Sequence, residues 1–381
     1  MKVAFIPSTF LPYVGGAETQ THNVANSLED NNINVDVYVL NKDQIKNAKY
    51  KIIALNKYLI NLVFLFKYYL NINLNFLAKI YFKNISMKKK YDLWHFHSVN
   101  YKTLIYINVL IELDQKIIVT LQGADIQIDK KINYGYRLDP KYEKFLKSTF
   151  KKVHQFHAIS NNIKGELSKI GVKKEKIIII PNCTPLNKID KIKEKKDKKK
   201  ITLLTIGRYA IKKKGFDLIE RITKKLNQIG DFKWIIIGRN TTELYKKKFI
   251  QENKNKFEII EEISNHNELF FPHTKLIKYY KRCHVYVNLS RVEGCPIVLL
   301  DALSSSLPIV SFNTRGGDEI VINKKNGFIA RNNDLDDIAK KIFKTKKFKF
   351  KKNSTKVNKI KKYYDLKNNT KKIISNYLRV M

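Results

Sequence analysis

Residues 290–302, SRVEGCPIVLLDA, set two carboxylates, Glu293 and Asp301, eight positions apart. Two chemistries fit that spacing. The acids are either an acid/base pair or the flanks of a loop and helix that hold an anion. Pro296 favours the second, because a missing N–H costs nothing in a first helical turn. The free N–H groups of Ile297 and Val298 would then face outward and attract a phosphate. Asp301 lies four residues past Ile297, on the same helix face and roughly 6 Å further along. Carboxylates accept well from paired hydroxyls, and that offset suits a nucleotide's ribose diol beyond its phosphates. The plainer readings are a helix acid at the positive end of the dipole for Asp301 and a surface-loop acid for Glu293.

A second constellation is IGRYAIKKKGF, with Arg208 after an apolar run and Lys212, Lys213 and Lys214 before Gly215. A planar guanidinium fork and a mobile ammonium suit a diphosphate. A solvated basic turn in a lysine-rich chain fits equally well. A third is PSTFLPYVGGAE, where Gly15 and Gly16 separate a strand from a helix. It lacks the G-x-G-x-x-G of a dinucleotide site, but glycines there admit close ligand approach. An ordinary helix-entry turn is the alternative. His95 and His97 share one strand face, and His154 and His157 lie in another segment. No acid or cysteine joins either pair at ligand spacing, so no metal is expected.

The elements that must position these residues alternate. KVAFIP, NVDVYVL, DLWHFH, KIIVTLQG, VHQFHAIS and KIIIIPN read as strands. GGAETQTHNVANSLEDNN and NNIKGELSKIG read as helices between them, the latter ended by Gly171. Residues 184–200, TPLNKIDKIKEKKDKKK, are charged without apolar periodicity and read as a linker. The alternation then restarts with ITLLTIGR, FKWIIIGRN, HVYVNLS, PIVSF and NGFIA as strands. GFDLIERITKKLNQIG, TKLIKYYKRC and PIVLLDALSSS are the helices among them, and the tail is helical and basic. The chain is therefore α/β, with right-handed βαβ units in two parallel-sheet halves. A ligand would bind at the carboxyl ends of the strands, between two such sheets.

The 381 residues suggest two domains, and the net charge is +40. A polyanion partner would account for such a charge. Codon bias accounts for more of it, since Lys, Asn and Ile are abundant together and the lysines are scattered. Within residues 42–90 the only acid is Asp43, and lysines alternate with aromatics. No apolar run there reaches the roughly 20 residues of a membrane span. It reads as a basic aromatic helix lying on an anionic membrane surface, or as a core helix with a solvated lysine face. The three cysteines are odd in number and unclustered. With a first strand in place of a cleavable leader, they point to a reducing, cytoplasmic compartment.

The segment EGCPIVLLDALSSSLPIVSFNTRGGDEIVINKKNGFIA resembles the nucleotide-sugar region of family 4 glycosyltransferases, the retaining GT-B enzymes. The match runs through Gly316, Gly317, Glu319, Asn326 and Gly327, and extends to VGGAE, IIIIPNC and IGRYAIKKKGFDLIE in the same order. It implies two Rossmann-like domains with parallel sheets facing a central cleft. Residues 1–183 would bind acceptor, 184–200 link, 201–362 bind nucleotide sugar, and a helix at 363–381 cross back to the first domain. It further implies that Arg208 and Lys214, or Lys213, hold the donor diphosphate, and that Glu293 contacts the donor sugar. The backbone of Gly294, Cys295, Pro296, Ile297 and Val298 would cradle sugar and phosphate, Asp301 would hold the ribose, and Gly15 and Gly16 would lie against phosphate and acceptor. Asp301 stands where relatives carry Glu, and Gln122 where many carry His. His97, Gln122 and Asp125 are candidates to line the acceptor side.

The expected reaction is retaining transfer of a sugar from a UDP- or GDP-sugar to a hydroxyl of a glycan or lipid-linked acceptor. No cofactor is expected. The expected setting is cell-surface polysaccharide, lipopolysaccharide or glycan synthesis at the inner membrane face. A non-hydrolysing sugar-nucleotide epimerase shares the fold and needs no acceptor. A polyanion-binding protein rests on charge alone, and no nucleic-acid motif accompanies it.

Overall fold

The structure, a computed structural model, describes residues 1–41, 47–196, 200–263, 268–348 and 354–381. It divides into two compact units: Met1–Pro181 with Asn369–Met381, and Asn182–Asn368.

The first unit holds a seven-stranded sheet in the order β3-β2-β1-β4-β5-β6-β7, with every pair parallel. The strands are β1 (Lys2–Pro7), β2 (Asn34–Val39), β3 (Lys51–Ala54), β4 (Leu93–His97), β5 (Ile117–Leu121), β6 (Gln155–Ala158) and β7 (Ile177–Ile179). Central strands such as β4 and β5 are buried along their whole length. Helices cover both faces of such a sheet, so its strands are apolar runs without alternation. The sequence reading missed β3 because this edge strand is short and half-exposed, with a lysine at its start.

The second unit repeats the plan with six parallel strands in the order β10-β9-β8-β11-β12-β13. These are β8 (Ile201–Ile206), β9 (Phe232–Ile237), β10 (Phe257–Ile260), β11 (Val285–Asn288), β12 (Ile309–Phe312) and β13 (Gly327–Ala330). Trp234, Ile236, Val285 and Val310 centre its core, with Ile222, Leu226, Ile338 and Ile342 packed on from helices. β10 was also missed, again a four-residue edge strand with a charge inside it.

Residues 184–200 are more than a linker. Leu186–Lys191 is helical, and Ile189 is fully buried. One apolar anchor in six residues leaves no periodic signal to read. Residues 197–199 of that stretch, and 42–46 of the basic segment, lie outside the described residues. The tail forms two helices, Thr355–Tyr363 and Leu366–Val380. In the second, Tyr377 Oη lies 2.6 Å from Nδ1 of His95, and Asn376 Oδ1 lies 2.6 Å from Nε2 of His157.

Candidate active site

In the second unit the strand order reverses between β8 and β11. Open α/β sheets bind ligands at such a switch point, outside the strands' carboxyl ends. The loops that leave these two strands, 207–215 and 289–296, carry most of the residues singled out from sequence.

Glycines let the loops approach each other. Gly215 has φ +71°, and a Cβ there would lie 2.2 Å from the Leu289 carbonyl oxygen. Gly215 ends a single helical turn, Ile211–Lys214. Arg291 ties this turn to the other loop. Its N–H donates to the Lys213 carbonyl at 2.9 Å, and its Nη1 donates to the Lys212 carbonyl at 2.6 Å. Its guanidinium also forks onto Asp217 with two bonds of 2.8 Å.

The two loops meet chemically at Lys214 and Glu293, whose Nζ and Oε1 are 2.6 Å apart. The Glu293 side chain is 7% exposed. Burial pushes its carboxyl up, but the charges of Lys214 and Lys213 and the bonds from Lys214 and Ser290 overcome this and hold it below the usual range. Gly316, at φ +78°, supports the same loop, since a Cβ there would lie 2.3 Å from the Gly294 carbonyl oxygen. Arg208 lies just past β8, exposed, and its guanidinium has no hydrogen bond or ion pair among the described residues.

The helix Ile297–Ser304 opens directly from the Glu293 loop. Pro296 is its N-cap rather than its first helical residue, with an extended backbone and no side-chain cap. Pro296 accepts from Leu299 and Leu300, at 3.0 and 3.3 Å. The N–H groups of Ile297 and Val298, ahead of those two donors in the first turn, have no intrahelical acceptor and lie at the positive end of the dipole. Asn182 Nδ2 holds the Cys295 carbonyl at 3.0 Å. Asp301 is 3% exposed, and its Oδ1 accepts from Thr184 Oγ1 at 2.6 Å. Burial raises its carboxyl to about 7, against the Thr184 bond and the charge of Lys188.

A guanidinium and a paired ammonium on one loop, with a buried carboxylate on the other leading into an uncapped helix start, suit a diphosphate joined to a hydroxyl-bearing group. A model described as Glycosyltransferase Family 4 matches residues 14–188, and one described as Glycosyl transferases group 1 matches 187–369. The chain is a family 4 glycosyltransferase. It is 26% identical over 348 residues to an uncharacterized glycosyltransferase of Methanocaldococcus jannaschii, spanning 90% of this chain and 87% of the other. Its fold matches that of Anabaena HepE, solved with UDP and glucose, at TM-score 0.72 and 15% identity over 100% of both chains. It also matches the lipopolysaccharide outer core galactosyltransferase WaaB, at TM-score 0.69 and 16% identity over 100% of this chain and 99% of that one.

The glycosyltransferase's remaining candidates lie in the first unit, at the carboxyl ends of its own strands. Gly15 caps the helix Gly16–Glu29 in extended conformation, and a Cβ on it would lie 2.4 Å from Glu18 Oε2. A carboxylate from the same helix therefore lies over this helix start. His97 ends β4. It is 4% exposed, and neither ring nitrogen has a hydrogen-bond partner among the described residues. Burial and the neighbouring His157 push its imidazole down to about 3, so the ring is neutral. The Gln122 N–H donates to the Asp125 carboxylate.

Asp125 does not line an open surface, contrary to the sequence reading. It is fully buried and accepts from the N–H groups of Gln122, Gly123 and Val99. Those bonds consume the carboxylate in shaping its own loop. Sequence reasoning also missed Arg291, Asp217 and Thr184. Arg291 stands two residues before Glu293, but nothing in the sequence pairs it with an aspartate 74 positions earlier. Among the described residues no group of three or more His, Cys, Asp or Glu could hold a metal.

Proposed function

We propose that this glycosyltransferase moves a sugar from a UDP- or GDP-sugar to a hydroxyl of a glycan or lipid-linked acceptor, with retention at the anomeric carbon. The part-buried Lys214–Glu293 pair, on loops that also carry exposed Arg208 and lead into an uncapped helix start at the switch point, carries the reading. HepE's bound UDP and glucose, and the activity in WaaB's name, support a UDP-sugar and a cell-surface glycan.

In this proposal the donor diphosphate lies against Arg208, Lys214 with Lys213, and the N–H groups of Ile297 and Val298. Glu293 accepts from sugar hydroxyls, and the backbone of Gly294 and Cys295 follows the sugar. Asp301 offers Oδ2 to the ribose while Oδ1 keeps Thr184. Gly15 and Gly16 lie against phosphate and acceptor, and neutral His97 and Gln122 serve the acceptor. The anomeric C–O bond breaks, and its electron pair leaves with the diphosphate. The acceptor oxygen bonds the same face of the sugar, and its proton passes to the departing phosphate oxygen. Fixed positive charge where the diphosphate develops is the main source of rate. Glu293 holds the substrate and takes no proton, in keeping with its depressed pKa. No cofactor enters, and the setting is the cytoplasmic face of the membrane.

A thermal-shift screen of nucleoside diphosphate sugars tests the donor, because the preferred one stabilises by mass action. Transfer assays with that donor should yield product of unchanged anomeric configuration. Conversion of the donor sugar without any acceptor, or an inverted product, would overturn the proposal.

A further inference from the structure

The helices Lys57–Tyr69 and Asn75–Lys89 carry an apolar face that the first unit leaves uncovered. Ile60 and Val63 of the first helix, and Ala78 and Phe82 of the second, point into the core. Lys102 Nζ bonds Asn61 at 2.6 Å and Tyr68 donates to Asp139 at 2.7 Å, which fixes the rotation of the first helix. Its other side exposes Tyr58 (77%), Leu62 (42%), Leu65 (47%) and Tyr69 (65%). Steps of four, three and four residues place all four on one face. The second helix exposes Phe76 and Ile80. Lys57, Lys83, Lys88, Lys89 and Lys90, on these two helices or at the end of the second, are exposed too, and residues 47–90 contain no acid.

A contiguous exposed apolar face on a folded protein marks an interaction site, and charge narrows the occupant. A second copy would bring two acid-free basic faces together, and like charges across an interface are costly. Nucleic acid would use the lysines and tyrosines but would leave Leu62, Leu65 and Ile80 unsatisfied. Helices of 13 and 15 residues are too short to span a bilayer, and no helix of the described residues is long and apolar enough to cross one. An apolar stripe fringed by lysine is what a helix needs to lie in an anionic interface.

We infer that these two helices form a docking face for an anionic phospholipid bilayer. The face rests on the proposed function in one respect: a lipid-linked acceptor would lie in that same surface.

Co-sedimentation of the full chain with vesicles tests this, without donor or acceptor present. The protein should pellet with phosphatidylglycerol–phosphatidylcholine vesicles and stay in solution with phosphatidylcholine alone. Lys88→Gln/Lys89→Gln/Lys90→Gln should weaken binding about a hundredfold. Leu62→Ser/Leu65→Ser should weaken it at least tenfold, with Tyr58→Ser as the milder companion if the double variant melts early. Wild-type protein that ignores anionic vesicles, binds neutral ones equally, or binds unchanged in all variants overturns the inference. A solution dimer lost in the same variants would replace lipid with a second copy, and polynucleotide binding lost in them would replace it with nucleic acid. Because the readout is binding, inactive protein that still pellets would sink the proposed reaction and leave the docking face standing.

Discussion

Replacing Lys214 by Met tests the pairing at the centre of the site. The substitution keeps the aliphatic stem beside Gly207 and removes only the charge 2.6 Å from Glu293. Glu293 is then a nearly buried carboxylate with Lys213 and Ser290 as its remaining support. Removing one partner of a buried pair costs about 3–5 kcal/mol. With Lys213 still near, about 3 kcal/mol is expected at neutral pH. At about 2–4 °C per kcal/mol for a unit of this size, Tm should fall by roughly 6–12 °C. The deficit should depend on pH in a set direction. In wild type the Glu293 carboxyl is depressed, so its contribution is present above the ordinary value of about 4.3 and disappears as pH falls through the folded value. In Lys214→Met burial dominates and raises it, so the ionised form destabilises the variant as pH climbs. The deficit should therefore be smaller at pH 4.5 than at pH 7.5. Adding Glu293→Gln should restore most of the stability but no activity. Calorimetry at both pH values decides it. A deficit that is absent, or the same at both, refutes the reasoning.

Arg208→Ala should leave Tm within about 0.5 kcal/mol of wild type, because the side chain is exposed and unengaged. It should lower kcat/KM by about 10²–10³, the usual cost of one preorganised charge-stabilising group. Arg291→Ala should cost about 1–2 kcal/mol by removing the fork on Asp217 and should speed amide exchange across residues 211–215. Its kcat/KM should fall about tenfold as Lys214 loses its fixed turn, and Arg291→Lys should recover little because an ammonium has no fork.

Both sheets were legible because parallel strands buried on two faces are uninterrupted apolar runs, as in IIVTL and ITLLTI. The edge strands KIIA and FEII were not, since four residues with a charge carry no such run. At the site, the loops that carry Arg208, Lys214 and Glu293, and the helix after Pro296, could be placed because each loop follows a strand and the helix opens after a proline. Their connections could not. Whether Lys214 meets Glu293 depends on Gly215 and Gly316 letting backbones touch, and on Arg291 reaching Asp217. Spacing carries none of those distances. Asp125 shows the opposite failure, because a carboxylate next to a glycine turn looks available in sequence and is spent on three backbone N–H groups in the fold.

Glu293 and Asp301 are shifted in opposite directions, one below its ordinary value and the other up to about 7. Such a split often separates a catalytic base from an acid. Here the partners argue otherwise, since Glu293 is held by a lysine and Asp301 by the Thr184 hydroxyl, with Lys188, Tyr280 and Tyr286 as its charged or titratable neighbours. A raised carboxyl means the folded chain binds an extra proton between about pH 3.9 and pH 7. Stability from this group then falls as pH rises through that window and levels off above it. Asp301→Asn stays neutral, and its amide oxygen can still accept from Thr184. The variant should match wild type below about pH 3.9 and exceed it at pH 8 by up to about 4 kcal/mol. A stability difference that does not change with pH refutes the buried-carboxyl argument. Donor affinity measured on the same variant separates the second role. Loss of a charged acceptor to a ribose hydroxyl should weaken binding at least tenfold, whereas an unchanged Kd would leave Asp301 with Thr184 as its sole partner and remove it from the donor site.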